Sequence, residues 1–167
     1  MWSNSPEVMI MDFQESDISD RYISWLNNKQ HMKFSEQRFL NHSKRTAKDY
    51  LANFDNCENK YYAIKSGSDL IGTGTLYVNK AYGTCSAGIL IGPEFSGKGY
   101  GKQAWQLLTT IIPKSLGLRK VSAGTLETNK AMLRIFIESK MQFEARLVQE
   151  SIFEDSVVDV LLYRRIL

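Results

Sequence analysis

"IGPEFSGKGYGKQAW", residues 91–105, leads from an apolar run through a proline and three closely spaced glycines into a helical pattern. Gly97, Gly99 and Gly101 free the backbone to take φ > 0 and let a ligand approach the main chain closely. A helix start behind them offers unpaired N–H groups and the positive end of a dipole, which suits an anion. The stretch reads as a phosphate-holding turn, and the fold depends on which kind of turn it is.

Two well-known phosphate loops fail against these letters. A Walker A loop requires Gly, four residues, then Gly-Lys-Ser/Thr. Gly92, Gly97 and Lys98 meet the spacing, but Gly99 follows where a Mg²⁺-binding hydroxyl belongs. A dinucleotide turn requires G-x-G-x-x-G, and Lys102 stands where its third glycine belongs. A glycine-rich connection holding no ligand is the alternative that these letters alone leave open.

At 167 residues and 43% hydrophobic, the chain suits one domain, residues 1–167, with a substantial core. The 21 basic and 18 acidic residues are spread along it, giving a net charge of +3 with no block of like charge to recruit nucleic acid or an anionic membrane. Two cysteines, Cys57 and Cys85, and an amino terminus without a basic and then apolar leader predict a cytoplasmic protein with reduced thiols. His31 and His42, with no Cys-x-x-Cys or H-E-x-x-H, predict no metal site.

Outward from the loop, residues 8–13 read as a strand, and Ser16-Asp17 as the cap of a helix whose face carries Ile18, Tyr22, Trp25 and Leu26. Ala47, Tyr50, Leu51 and Phe54 mark a second helix after a polar stretch. "YYAIKSG", "LIGTGTLYVN" and "TCSAGILIG" are three strands on connections short enough only for antiparallel hairpins. That argues against both parallel-sheet phosphate folds. A helix follows over 99–116 on Ala104, Leu107, Leu108, Ile111 and Ile112, with Pro113 expected to bend its end. "RKVSAGTL" is a strand, "NKAMLRIFIESK" a helix, and residues 143–153 and 157–166 two closing strands.

This β-α-α-β-β-β-α-β-α-β-β order, with a glycine loop between the fourth strand and the third helix, resembles the GNAT superfamily of acyl-CoA-dependent N-acyltransferases over nearly the whole chain. The family's phosphate motif, Gln/Arg-x-x-Gly-x-Gly/Ala, is matched at Gly99 and Gly101, with Ser96 in its first position. "NKAMLRIFIESKMQFEA" is similar to the Asn-x-x-Ser/Met...Lys-x-Gly-Phe block, keeping Asn129 but carrying Lys140 and Met141 for Gly-Phe. "RYISWLNNKQHMKFSEQRF" is similar to the acceptor-side helices of the branch acting on protein N-termini and nucleotide-linked amino sugars.

The resemblance implies an α/β (α+β) fold: a mixed, mostly antiparallel sheet of about seven strands with four helices, splayed between strands 4 and 5. It implies acetyl-CoA as co-substrate, held by Ser96, Gly97, Lys98, Gly99, Tyr100, Gly101 and Lys102, with Asn129 and Lys130 nearby. A main-chain N–H at Leu90 or Ile91 is the expected oxyanion donor. Lys98, Lys102 and Lys130 are candidates for outlying phosphates, although exposed lysines are ordinarily solvated charges. In many relatives a tyrosine seven residues after the asparagine protonates the departing thiolate; here that residue is Phe136. Glu127 is the first candidate to take the amine proton and Glu36 the second. Gln37, Arg38 and His42 are acceptor-side candidates, Arg38 for an acidic or nucleotide-linked partner.

The expected activity is direct N-acetylation of a primary amine on a small molecule, such as a nucleotide-linked amino sugar, a polyamine or an aminoglycoside, or on a protein N-terminus. A homodimer is an open partner state. The rivals are a non-catalytic acyl-CoA-binding module and, through the near-Walker spacing, a nucleotide-phosphate-binding kinase or NTPase.

Overall fold

The computed structural model describes residues 7–167. Its elements are β1 (Met9–Asp12), α1 (Asp20–Asn27), α2 (Lys44–Ala52), β2 (Lys60–Ser66), β3 (Asp69–Asn79), β4 (Thr84–Ile91), α3 (Tyr100–Gln106), α4 (Ile112–Ser115), β5 (Lys120–Leu126), α5 (Lys130–Glu138), β6 (Gln142–Phe153) and β7 (Ser156–Ile166). The seven strands form one sheet in the order β1-β2-β3-β4-β5-β7-β6. Only β4 and β5 run parallel; β2–β3, β3–β4 and β6–β7 are antiparallel hairpins, as their short connections require, and β1–β2 and β5–β7 are antiparallel across longer connections.

Local chemistry fixes the turns. Ser66 pairs with Asp69 across a two-residue link in which Gly67 takes a positive φ. At the β6–β7 turn Glu154 and Asp155 both lie at positive φ, the twist that two-residue hairpins favour. Both faces of the sheet are covered, so consecutive residues of β2 enter different cores. Ile64 joins Trp105, Leu108, Val121 and Phe136 beneath α3 and α5, while its neighbour Ala63 joins Tyr22, Trp25 and Tyr61 beneath α1 and α2.

Two helix boundaries differ from the sequence reading. The cap of α1 is Ser19, whose hydroxyl accepts the Tyr22 N–H at 3.1 Å, whereas Asp17 ends a short 3₁₀ turn and pairs with Lys65 at 2.7 Å. The helix expected over 99–116 is one rod in three parts, with a π turn at Leu107–Ile111 between α3 and α4. Thr109, inside that turn, returns its hydroxyl to the Trp105 carbonyl at 2.8 Å, satisfying an acceptor near the point where the helical register changes. Counting the rod once, there are four helices around the sheet among the described residues. Among the described residues no helix is long and apolar enough to cross a membrane.

Candidate active site

The gap between β4 and β5 organises the site. The two strands pair at only three positions, Thr84 with Lys120, Cys85 with Val121 and Ser86 with Ser122. Beyond these, β4 continues to Ile91 and β5 to Leu126 without pairing each other. Main-chain groups on the facing edges are left for another partner.

The β3–β4 register decides which groups these are. Gly92 donates its N–H to Ile71 O at 2.8 Å, and the Leu90 carbonyl lies against Gly72. Main-chain groups alternate sides along a strand, so Leu90 and Gly92 face β3 while Ile89 and Ile91 face the gap. The Ile91 carbonyl is met there by Nε2 of His31 at 2.7 Å, which makes Nε2–H the donor. This corrects one of the two main-chain donors expected from sequence. The Leu90 N–H is turned to β3, and Leu90 contributes to a cavity wall instead.

At the end of β4, Trp25 of α1 packs its ring under Gly92 and donates its indole N–H to Glu94 at 3.1 Å. The chain then enters the glycine turn. Gly97 and Gly99 have φ of +75° and +88°, a region that L side chains rarely adopt, and a Cβ placed on either meets no atom within 4 Å. The turn thus presents bare backbone to open space at the start of the rod. That cradle fits a pyrophosphate bound by main-chain N–H groups. A Cβ placed on Gly101 would meet the Ile91 and Ile135 side chains at 3.5 and 3.6 Å, so here the turn lies beside β4 and α5.

The other cofactor-side candidates divide. Ser96 turns its hydroxyl back to Gly92 O at 3.3 Å, Lys98 is exposed, and Tyr100 packs edge-on against Phe95. Lys102 pairs with Glu138 at 3.1 Å, and Lys130 donates to the Glu127 carbonyl at 2.9 Å, so both ammonium groups already have partners in the chain. Asn129 caps α5 by accepting the Met132 N–H and donating to Thr125. Phe136 is fully buried between Trp105 and Tyr163.

On the α1–α2 side of the sheet lies a cavity of about 690 Å³. Gly88, Ile89 and Leu90 of β4 form its floor toward the gap, and Thr73, Thr75 and Tyr77 project from β3. Tyr22 and Tyr61 share a hydrogen bond of 2.5 Å, and Tyr50 and Tyr77 share another of 3.1 Å. Burial is the main cause pushing Tyr22 up to about 12, and it also lifts Tyr50 and Tyr61 well above the ordinary tyrosine value. These buried phenols stay protonated near neutral pH. They exchange hydrogen bonds and carry no charge.

Gln37 and His42 join this wall; Glu36, Arg38 and Glu127 are not among the residues lining it. His42 is half-buried with Nε2 3.2 Å from Gln37 O. Arg38 donates to Ser35 O at 2.9 Å and Ile152 O at 3.0 Å and lies over Phe39, so its fork is spent on the chain's own carbonyls. Glu127 accepts from Arg146 at 2.7 Å and from the Asp159 N–H at 3.2 Å, using both carboxylate oxygens. Glu36 is exposed at the head of a 3₁₀ turn. Of the two candidate bases from sequence, Glu127 is thus held in an ion pair and Glu36 lies at the surface, and neither lines the cavity. Sequence reasoning missed His31, the four phenols, Thr73, Thr75 and Asp49. The signal for the β3 residues was present, since positions 73, 75 and 77 alternate onto one face of a strand.

Solved structures share this architecture. A ribosomal-protein α-N-acetyltransferase, RimL, in complex with coenzyme A superposes with a TM-score of 0.85 at 16% identity over 96% of this chain and 94% of that one. A Vibrio cholerae spermidine N-acetyltransferase in complex with coenzyme A and spermine gives 0.82 at 20% identity over 98% and 96%. The microcin self-immunity acetyltransferase MccE, in complex with acetyl-CoA and AMP, gives 0.84 at 16% identity over 96% and 93%. A search of curated protein sequences finds no match. The family model described as "Acetyltransferase (GNAT) domain" matches residues 7–142, most of the chain, and with the splayed strands and the glycine turn it shows that this protein belongs to the GNAT acetyltransferase family.

Proposed function

We propose that the protein transfers an acetyl group from acetyl-CoA directly to a primary amine. The observation that carries this reading is the gap between β4 and β5, open to the glycine turn at one end and bordered by the tyrosine-lined cavity through Ile89 and Leu90. Acetyl-CoA supplies the acyl thioester. The Gly97–Gly101 backbone binds its phosphates without a metal, and Lys98 adds exposed positive charge nearby. Ile89 and Ile91 offer main-chain hydrogen bonds to the amide-rich arm, and the Ile91 N–H is the donor to the thioester oxygen.

The amine enters from the cavity, losing a proton before its nitrogen attacks. That first proton goes to solvent; as the C–N bond forms the C–S bond breaks, the nitrogen sheds its second proton to solvent to become the amide, and the thiolate takes a proton from solvent, because Phe136 has no hydroxyl and lies inside the core. Alignment of the two reactants supplies the larger part of the acceleration, on the order of 7–11 kcal/mol. A covalent route through the chain's thiols is disfavoured. Cys85 is buried, with its thiol pushed up to about 11 by that burial, and the exposed Cys57 lies outside the cavity wall.

For the acceptor, a small-molecule amine is of a size to fill a half-open cavity of about 690 Å³. The nucleotide-linked version loses the grip expected from Arg38. The test is free-thiol release from acetyl-CoA with a panel of amines, alongside calorimetric binding of coenzyme A. Amine-dependent release is expected. Tight coenzyme A binding with no release on any amine would instead mark a non-catalytic acyl-CoA-binding module. In the same assay Glu127→Gln is expected to keep kcat/KM within about threefold of wild type, well short of the ~10²–10⁴-fold that a positioned base contributes. A larger loss at constant stability returns Glu127 to the mechanism.

A further inference from the structure

We propose that the acceptor is a compact monoamine whose body is uncharged and carries hydroxyl groups, and that the cavity discriminates against polyamines and diphosphate-linked amines. This rests on the acetyltransferase reading and specifies its acceptor. Charge is the first argument. Among the described residues lining the cavity, Asp49 is the one carboxylate, and none is lysine or arginine. Asp49 is exposed at the rim; of the basic side chains near it on α2, Lys44 is engaged by Asp20 at 2.8 Å and Lys48 by Glu15, while Arg45 stands exposed one turn before it and outside the cavity lining. One carboxylate can meet the single ammonium of an arriving monoamine at the rim, before that nitrogen sheds its proton and attacks.

A polyamine such as spermidine keeps two ammonium groups while its third nitrogen attacks, and among the described lining residues Asp49 can meet only one of them. The phenols do not substitute for one. Tyr22, Tyr50 and Tyr61 are held protonated by burial, so they offer dipoles and no negative charge. A diphosphate meets the opposite deficit. Among the described residues no lysine or arginine lines the wall, and Arg38 is bound to Ser35 O and Ile152 O. Selection against both kinds of multiply charged acceptor follows from what the wall lacks as much as from what it holds.

The wall does hold groups that both donate and accept. Thr73, Thr75 and the Tyr50–Tyr77 pair lie on one side, with Gln37 and Asn41 also contributing. A hydroxyl on the acceptor likewise donates and accepts, so each such contact is met in either sense. Leu26, Met32, Leu40 and Ile89 supply apolar surface for the carbon faces of a ring.

The test measures free-thiol release and, separately, heats of amine binding to the coenzyme A-bound protein, using glucosamine, spermidine, UDP-glucosamine and a tripeptide. Glucosamine is expected to exceed each of the others in kcat/KM by at least about tenfold and to give the strongest binding heat, because a site built for hydroxyls penalises ligands that leave its polar groups unpaired. Spermidine, UDP-glucosamine or the peptide matching or surpassing glucosamine, with thiol released, overturns this proposal and leaves the transferase reading standing. Thiol release from none of them, with coenzyme A bound, overturns the transferase reading; the binding heats then judge the acceptor class on their own.

A gain-of-function variant adds an independent outcome. Asn41→Asp with Thr46→Asp places two carboxylates beside Asp49 at exposed positions, and an acid at Thr46 suits the first turn of α2. Spermidine turnover is expected to rise at least about tenfold relative to glucosamine, since two new charges answer the ammonium groups that lacked partners. No change in that ratio in a folded double variant overturns the charge argument.

Discussion

Gly99→Val is expected to fold yet lose most of the thermal stabilisation that coenzyme A gives the wild-type protein. For the wild type, ligand at about 100 times Kd contributes roughly 2.7 kcal/mol. A chain of this size shifts about 2–4 °C per kcal/mol, so the midpoint should rise by roughly 5–10 °C. Two features of Gly99 separate the fold from the ligand. Its φ of +88° strains any side chain by on the order of 1–3 kcal/mol, which lowers the midpoint of the free protein. Its Cβ direction is empty of protein atoms within 4 Å, so valine creates no clash with the chain itself. What valine does fill is the space into which phosphates must come to reach the backbone. The comparison is therefore of midpoints with and without coenzyme A in each protein, so that the lower starting point of the variant cancels. EDTA should leave the wild-type shift intact, and Mg-ATP should produce a smaller one because it lacks the arm that we propose pairs with the edges of β4 and β5. A full coenzyme A shift in Gly99→Val, or a larger response to Mg-ATP than to coenzyme A, would falsify the cradle and restore the near-Walker spacing as the guide.

Local patterns made the fold legible. The run "YYAIK" reads as a strand because every residue of it is apolar or tolerates burial, and the structure explains the run by covering both faces of β2. The glycine turn was legible because positive φ is a property of single residues, and Gly97 and Gly99 both adopt it. Catalytic roles were less so. Glu127 looked free at a strand end, but Arg146 and Asp159, which occupy it, are 19 and 32 residues away in the chain and reach it only through the β5–β7–β6 pairing. Arg38 was diverted in the same way by a carbonyl 114 residues distant. Conversely, the phenol cluster draws Tyr22 from α1, Tyr50 from α2, Tyr61 from β2 and Tyr77 from β3, four elements whose convergence no single window of sequence contains. The choice between Leu90 and Ile91 depended on parity along β4, which is fixed by the partner strand and not by the residues themselves.

Phe136 provides the sharpest division between a structural and a chemical role for one ring. It is fully buried, 5.5 Å from the Trp105 ring centre and 5.0 Å from that of Tyr163, inside the core that joins α3 and α5 to the sheet. Phe136→Ala removes that ring and leaves a cavity, so it should cost about 3–5 kcal/mol. At about 2–4 °C per kcal/mol, the midpoint should fall by roughly 6–20 °C, a drop that thermal or denaturant unfolding would read directly. Phe136→Tyr keeps the ring but adds a hydroxyl among apolar neighbours. An unpaired buried hydroxyl costs about 1–3 kcal/mol, so this variant should be destabilised by less than the alanine protein while kcat for acetyl transfer stays near wild type. The family resemblance implies an acid role for a tyrosine at this position, and the opposite result has a distinct signature. If Phe136→Tyr keeps its stability, raises kcat and adds an alkaline limb to the pH profile of kcat, then the hydroxyl has reached the sulfur and the ring lies at the edge of the gap. Lost stability with unchanged kcat places it in the core, and the thiolate must then collect its proton from water in this protein.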